Sequence, residues 1–178
     1  MSDRPFFPLF VDLSKKKIIF IGAGKIAKRR IEALMPFVTE INIFSPEVDR
    51  SLAEILGFSD KPLSDHDSDR DINEFTAVKS GCRIRLSLTE YSPECLNEAD
   101  IVFACTSDPG VNNDIAAECR RLGIMVNVAS DHLLCDFYFP GISQHEEIVV
   151  GINAGGKSHF KVKAIRKKID RIIEENDY

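Results

Sequence analysis

Short apolar runs alternate along this chain with stretches of helical period, and that alternation predicts βαβ units built around a parallel sheet. KKIIFIG, Lys16 to Gly22, reads as the first strand. It leads into a helix from Lys25 to Met35, where Ile26, Ala27, Ile31, Ala33 and Leu34 recur at helical spacing before Pro36. EINIFS, Glu40 to Ser45, is the second strand. Pro46 suits a first helical turn, so a helix is expected from there, with Val48, Leu52, Ile55 and Leu56 on one face and Gly57 as its stop. The pattern resumes with strands at Arg83–Leu88 and Ile101–Cys105, a helix from Val111 to Leu122 ending at Gly123, and a fifth strand at Ile124–Val128. After that the βαβ rhythm stops. DFYFP and EEIVVGIN read as two further strands, and SHFKVKAIRKKIDRIIEEN as a closing helix with Ile165, Ile169, Ile172 and Ile173 on one stripe. The expected fold class is therefore α/β: a Rossmann-like doubly wound parallel sheet over residues 1–130, followed by a small α+β unit with the C-terminal helix over 131–178.

One segment departs from the pattern. From Ser59 to Glu74 the chain carries six acids, two bases and hardly any apolar content, so it is expected to form a mobile surface insertion. The cluster around His66 has the composition of a metal site, but carboxylates on such a loop have no fixed geometry, and a solvated loop is the reading adopted.

Length and composition narrow the picture. The 178 residues, 44% hydrophobic and 29% charged, suit one domain with a core and a small appendage. No apolar run approaches the roughly 18–20 residues needed to span a bilayer. PFFPLFV near the N-terminus is short, contains two prolines and lacks a small-residue cleavage site, so it is not read as a signal peptide, and a cytoplasmic protein is expected. A net charge of −5 argues against general attraction to nucleic acid or anionic membrane. Five cysteines with no CxxC pair indicate reduced thiols, not a disulfide framework or a zinc knuckle.

Gly22-Ala23-Gly24-Lys25-Ile26-Ala27 is a GxGxxA turn set between strand and helix, the context that dinucleotide binding requires. Gly22 permits the tight turn, Gly24 lets backbone approach a pyrophosphate at the helix N-terminus, and Ala27 allows close packing of helix on strand. A triphosphate-binding loop is excluded because isoleucine follows Lys25 where a hydroxyl is needed. The second strand ends in Ser45-Pro46-Glu47 with no arginine beside it, which favours NAD over NADP.

Four stretches together resemble the precorrin-2 dehydrogenases, the NAD-dependent siroheme-synthase domain: FPLFVDLSKKKIIFIGAGKIAKRRIEAL, ADIVFACTSDPGVNNDIA, GIMVNVASDHLLCDFYFP and IVVGINAGGKSHFKVKAIRKKI. The acidic stretch departs from that family, where the connection is shorter. The resemblance implies that a reduced tetrapyrrole, precorrin-2, gives a hydride to NAD and a proton to a base, forming sirohydrochlorin. It implies a homodimer held by the C-terminal unit. Cofactor contacts are then expected at Gly22, Gly24, Lys25 and Ile26, at Ser45 and Pro46, and where the fourth and fifth strands open, at Thr106, Ser107 and Asn127. The catalytic loop is expected at Ser130, Asp131 and His132. Family members often place an aspartate in the loop after VNV; direct counting puts Ser130 there and Asp131 one residue later. Asp131 is read either as the proton acceptor or as a turn cap, and Asp108, in SDPG, as a turn residue. Lys157 and Ser158, at the start of the basic last helix, are candidates for holding a substrate rich in carboxylates, while most of the other bases there form a solvated face. Two other functions remain open on this sequence: a dehydrogenase that also chelates iron, and a non-enzymatic NAD-sensing module.

Overall fold

The computed structural model describes residues 6–57, 72–76 and 81–175. They fall into two compact units, Val11–Phe137 on one hand and Met1–Phe10 with Tyr138–Tyr178 on the other.

In the larger unit, six strands among the described residues form one sheet. They are β1 (Ile18–Ala23), β2 (Glu40–Val48), β3 (Ile72–Thr76), β4 (Arg83–Ser87), β5 (Ile101–Ala104) and β6 (Met125–Val128). The order across the sheet is β3-β4-β2-β1-β5-β6, parallel throughout except for β3, which runs antiparallel along β4. The chain thus builds outward from β1 through β2 to β4, then crosses back to lay β5 and β6 on its other side. The C-terminal ends of β1 and β5 diverge into oppositely directed connections there, the topological switch point at which open α/β sheets bind ligands.

Helices cover both faces of the sheet. On one, Ile115, Ala116 and Cys119 of α3 (Pro109–Leu122) pack with Ile19, Ile21, Val102, Ala104, Val126 and Val128. On the other, Arg30 of α1 (Lys25–Leu34) lies over the ring of Phe103, 5.7 Å from its centroid, and Phe103 stacks on Phe20 at 4.5 Å. Strands buried on both faces read as continuous apolar runs, which is why IIFIGA and IVFA were legible as strands.

Three expectations are corrected. Pro46 does not open a helix: Ser45, Pro46 and Val48 continue β2, and α2 (Arg50–Ile55) starts after Asp49, whose carboxylate accepts the Ser51 N–H at 3.0 Å. DFYFP is not a strand; the hairpin is β7 (Gly141–His145) with β8 (Ile148–Ile152). The residues Ile72–Glu74, assigned to the acidic insertion, belong to β3. The rest of that insertion, including His66, lies outside the described residues.

In the smaller unit, β7 and β8 pair antiparallel and carry α4 (His159–Glu175). Gly141 lets the helix approach closely, because a Cβ there would sit 2.5 Å from Val162 Cγ1. Ser143 Oγ donates to Asp170 Oδ1 at 2.5 Å, tying β7 to α4. The Phe6 ring packs against Tyr138, with centroids 4.2 Å apart.

Candidate active site

The turn after β1 is held by its neighbours on both sides. Gly22 has φ +97°, and a Cβ on it would stand 2.7 Å from the carbonyl carbon and oxygen of Cys105 and 2.8 Å from Thr106 N. Its lack of a side chain therefore lets β1 and β5 close against each other at the switch point. Ala23 N–H donates to Ser45 Oγ at 3.2 Å, Ser45 Oγ donates to the Glu47 carbonyl at 2.6 Å, and Asp49 N–H reaches the Ala23 carbonyl at 2.9 Å. Ser45 is buried, so its hydroxyl shapes the turn, while Pro46 beside it is exposed.

That pinned turn presents Gly24 to solvent at the start of α1. Gly24, Lys25 and Ile26 are exposed, no side chain caps the helix, and a Cβ on Gly24 would meet nothing within 4 Å. An uncapped helix start combines unpaired N–H groups with the positive end of the helix dipole, so a pyrophosphate fits the residues present.

The second half of the site is the edge where β5 and β6 end. Asn112, on the first turns of α3, is fully buried; its Oδ1 accepts from Thr106 N at 3.1 Å and from Thr106 Oγ1 at 2.8 Å. Its Nδ2 donates to the Thr106 carbonyl at 3.2 Å and to Ser130 Oγ at 3.1 Å. This asparagine locks the loop after β5 to the loop after β6. Residue-by-residue reading missed it, although an Asn pair just inside a helix is a signal, since asparagine favours caps over helix interiors. Asp108 caps α3, accepting from Gly110 N at 2.7 Å, which agrees with the turn reading, and Ser107 is exposed beside it.

The three candidates after β6 differ in their commitments. Ser130 is exposed and held by Asn112. Asp131 accepts the Leu133 N–H at 2.8 Å and so caps a short 3₁₀ turn, His132–Leu134, on which His132 is exposed. Asn127 is buried and donates to the Phe137 carbonyl at 2.7 Å; its Oδ1 is sealed from solvent and has no hydrogen-bond partner among the described residues. It anchors the chain leaving the sheet instead of opening toward a ligand.

Two thiols lie close by. Cys105 Sγ accepts from Arg30 Nη1 at 3.3 Å, and Cys135 Sγ accepts the Val128 N–H at 3.1 Å. Burial raises the pKa of both; for Cys105 the Arg30 charge opposes it, and for Cys135 the Val128 hydrogen bond does. Burial prevails, so both stay protonated near neutral pH and neither acts as a nucleophile there.

Lys157 and Ser158 belong to the smaller unit, where Ser158 Oγ accepts the Lys161 N–H at 3.3 Å at the start of α4 and Lys157 is exposed. Among the described residues, no group of three or more His, Cys, Asp or Glu side chains gathers into a metal site, and no helix is long and apolar enough to cross a membrane.

A doubly wound sheet, a glycine turn at its switch point and an open helix start define a dinucleotide-binding α/β domain. Comparison with known proteins agrees: residues 9–141 match the family described as "Putative NAD(P)-binding", and the chain belongs to that family. It is 28% identical over 169 residues to the siroheme synthase of Psychrobacter sp. (strain PRwf-1), which covers 95% of this chain and 30% of that protein. It is 26% identical over 168 residues to the siroheme synthase of Nitrosomonas europaea, covering 94% of this chain and 31% of that protein. The chain thus spans about a third of the length of these curated relatives. Among solved structures, SirC, a precorrin-2 dehydrogenase, superposes with a TM-score of 0.70 and 17% identity over 94% of this chain and 70% of its own. That likeness shows a shared fold.

Proposed function

We propose that this chain is an NAD-dependent dehydrogenase domain that oxidises precorrin-2 to sirohydrochlorin in siroheme formation. The observation that carries the reading is the uncapped, exposed start of α1 at Gly24, presented at the switch point of the sheet. Membership of an NAD(P)-binding family supports the cofactor, and the siroheme synthases and the precorrin-2 dehydrogenase that the chain resembles support the substrate. NAD is favoured over NADP, because Ser45-Pro46-Glu47 offers no cation for a 2′-phosphate and the nearby Arg50 pairs with Glu54 at 3.3 Å.

When bound, the nicotinamide supplies the hydride acceptor. The chain's own residues do the rest. The N–H groups opening α1 bind pyrophosphate, the Asn112 lock fixes the β5–β6 edge, and Asp131 receives the substrate proton on the carboxylate that also caps its turn. Lys157 and the basic face of α4 attract substrate carboxylates. The reading includes a cytoplasmic homodimer: its cysteines are free thiols, and the smaller unit exposes Phe7, Phe10, Ile148, Phe160, Ile165 and Ile172.

Calorimetric titration with NAD and NADP, followed by an anaerobic assay of NADH formation with precorrin-2, tests the proposal. Failure to bind NAD would remove the cofactor assignment. Binding without turnover would leave an NAD-sensing module in place of the enzyme.

A further inference from the structure

Asn112 does more than join two loops, because its surroundings decide which way its amide faces. The Thr106 backbone presents it with one N–H and one carbonyl. Only Oδ1 can receive the first, and only Nδ2 can satisfy the second. Rotating the amide by half a turn would set donor against donor and carbonyl against carbonyl. The amide is buried, so water could not relieve either clash. The NH₂ group must therefore face Ser130, and Ser130 Oγ must accept from it.

A serine hydroxyl carries a single hydrogen. With Asn112 occupying a lone pair, that hydrogen cannot point back along the same line, and among the described residues no acceptor receives it. Ser130 is exposed, at the sheet edge where α/β ligands bind. Thr106, the other hydroxyl on Asn112, behaves oppositely: its Oγ1 accepts from Asp108 N at 3.2 Å and lies within donating distance of the Asp108 carbonyl at 2.9 Å and of Asn112 Oδ1 at 2.8 Å. Its hydrogen is kept inside. Of the two hydroxyls that touch Asn112, only that of Ser130 is presented outward as a donor.

We propose that Asn112 is a positioning residue that fixes Ser130 as an outward hydrogen-bond donor, and that this donor receives a carboxylate oxygen of the tetrapyrrole substrate. The assignment of the acceptor rests on the dehydrogenase reading above. A carboxylate is the acceptor a neutral hydroxyl binds most strongly, through a charge-assisted bond. Ser130 then grips substrate and takes no proton, which leaves proton transfer to Asp131.

The test compares Ser130→Ala, Ser130→Thr, Asn112→Asp and the double variant. Asn112→Asp keeps an oxygen for Thr106 N–H but sets its other oxygen toward Ser130, turning the serine hydrogen inward. Expected for Ser130→Ala is a KM for precorrin-2 raised about tenfold, the scale of one charge-assisted hydrogen bond, with kcat lowered less than threefold. NAD affinity by calorimetry should stay within twofold. Ser130→Thr should restore KM, Asn112→Asp should reproduce the tenfold rise, and the double variant should add nothing further. A hundredfold fall in kcat at unchanged KM would make Ser130 part of proton transfer and overturn the proposal. A tenfold loss of NAD affinity would place the acceptor on the cofactor, and additive single effects would end the coupling; either result also overturns it. Ser130 is exposed, so its variants remain informative if Asn112→Asp does not fold.

Absence of turnover in the wild-type chain would sink the dehydrogenase reading separately. The inference is then judged by Asn112 itself: its side-chain amide protons should exchange slowly, and Ser130→Ala should shift one of the pair. Sirohydrochlorin should bind Ser130→Ala about tenfold more weakly than wild type. Fast amide exchange, or equal sirohydrochlorin affinity, would overturn it.

Discussion

Gly22 and Gly24 stand two residues apart in one turn, and a methyl group added to each would meet opposite surroundings. At Gly22 it would strike the backbone of Cys105 and Thr106 from a φ of +97°, so Gly22→Ala should cost at least about 2 kcal/mol in denaturant unfolding. At Gly24 it would enter open space, and Gly24→Ala should leave stability almost unchanged. The larger, charged Gly24→Asp should abolish NAD binding in a folded chain, by bulk and like charge where the pyrophosphate sits. Retained NAD affinity in that variant, read by calorimetry, would refute the cofactor site. Asp131→Ala should lower turnover by roughly a hundred- to ten-thousand-fold, with NAD affinity nearly constant and about 1 kcal/mol lost from the turn it caps. Full activity in Asp131→Ala would move the proton acceptor elsewhere. The glycine turn was legible at this scale because its function follows from missing atoms. Asn112 was not, and neither were the hydrogen bonds of Ser45 and Asn127, two positions expected near the cofactor, because a sequence position at a strand end or helix start does not say which backbone groups a polar side chain will meet. Ser45 meets Ala23 and Glu47, Asn127 meets Phe137, and Asn112 meets Thr106 and Ser130.

Elements went astray where a local signal competed with a long-range partner. Pro46 carries a good helix-start signal, yet Ala23 pairs with Val48 and draws the chain along β1 for three more residues before Asp49 caps α2. DFYFP has the composition of a strand, but its contacts with β6 use mixed groups. Asp136 N–H meets the Val126 carbonyl at 2.9 Å while the Asp136 carboxylate accepts the Val126 N–H at 2.8 Å. A side chain thus replaces a backbone acceptor and closes the β6 edge without extending the sheet. Helix α3 was legible because its apolar period, its Asp108 cap and its Gly123 stop at φ +72° all agree. Packing of α3 also makes a pH prediction. Burial raises the Cys119 thiol from near 9 to about 12 and, on β4's approach, the Cys82 thiol to about 11. A raised folded-state pKa means that the protonated form is favoured by folding, so this contribution is complete below pH 9 and is lost as pH rises through 11 and 12. Stability measured by circular dichroism should therefore fall across that window. Cys119→Ala should be less stable than wild type by about 1 kcal/mol at neutral pH, and the gap should narrow from pH 9 to 11. A gap that stayed constant would show that Cys119 does not titrate differently on unfolding.

At the scale of the whole molecule, the sheet is complete in itself while the hairpin unit is not. The parallel strands bury Ile18, Phe20, Ile21, Ile41, Ile84 and Phe103 almost totally, and so large a continuous core is what the alternating apolar runs foretold. Among its described residues the smaller unit has two strands and one helix, and none of those in α4 is buried. A two-stranded hairpin with one helix cannot close a core alone. Its isoleucine stripe is covered only in part: Ile169 and Ile173 are half-buried while Ile172 is 58% and Ile165 47% exposed, and Phe160, on another side of the helix, is 82% exposed. Sequence periodicity predicted that stripe, but it could not say what covers it, since periodicity reports a face and not a partner. A second copy of the chain supplies an equivalent stripe, and a two-fold axis would let both be buried together. Wild-type chain should therefore scatter light as a dimer at micromolar concentration. Ile165→Glu with Ile172→Glu should convert it to a monomer, because each buried charge opposes its symmetry mate and loses its water. NAD affinity measured on the monomer tests whether the larger unit works independently, and it should remain within a few-fold of the wild-type value. A wild-type chain that is already monomeric, or a double variant that stays dimeric, would show that the stripe on α4 is not the surface that pairs the copies.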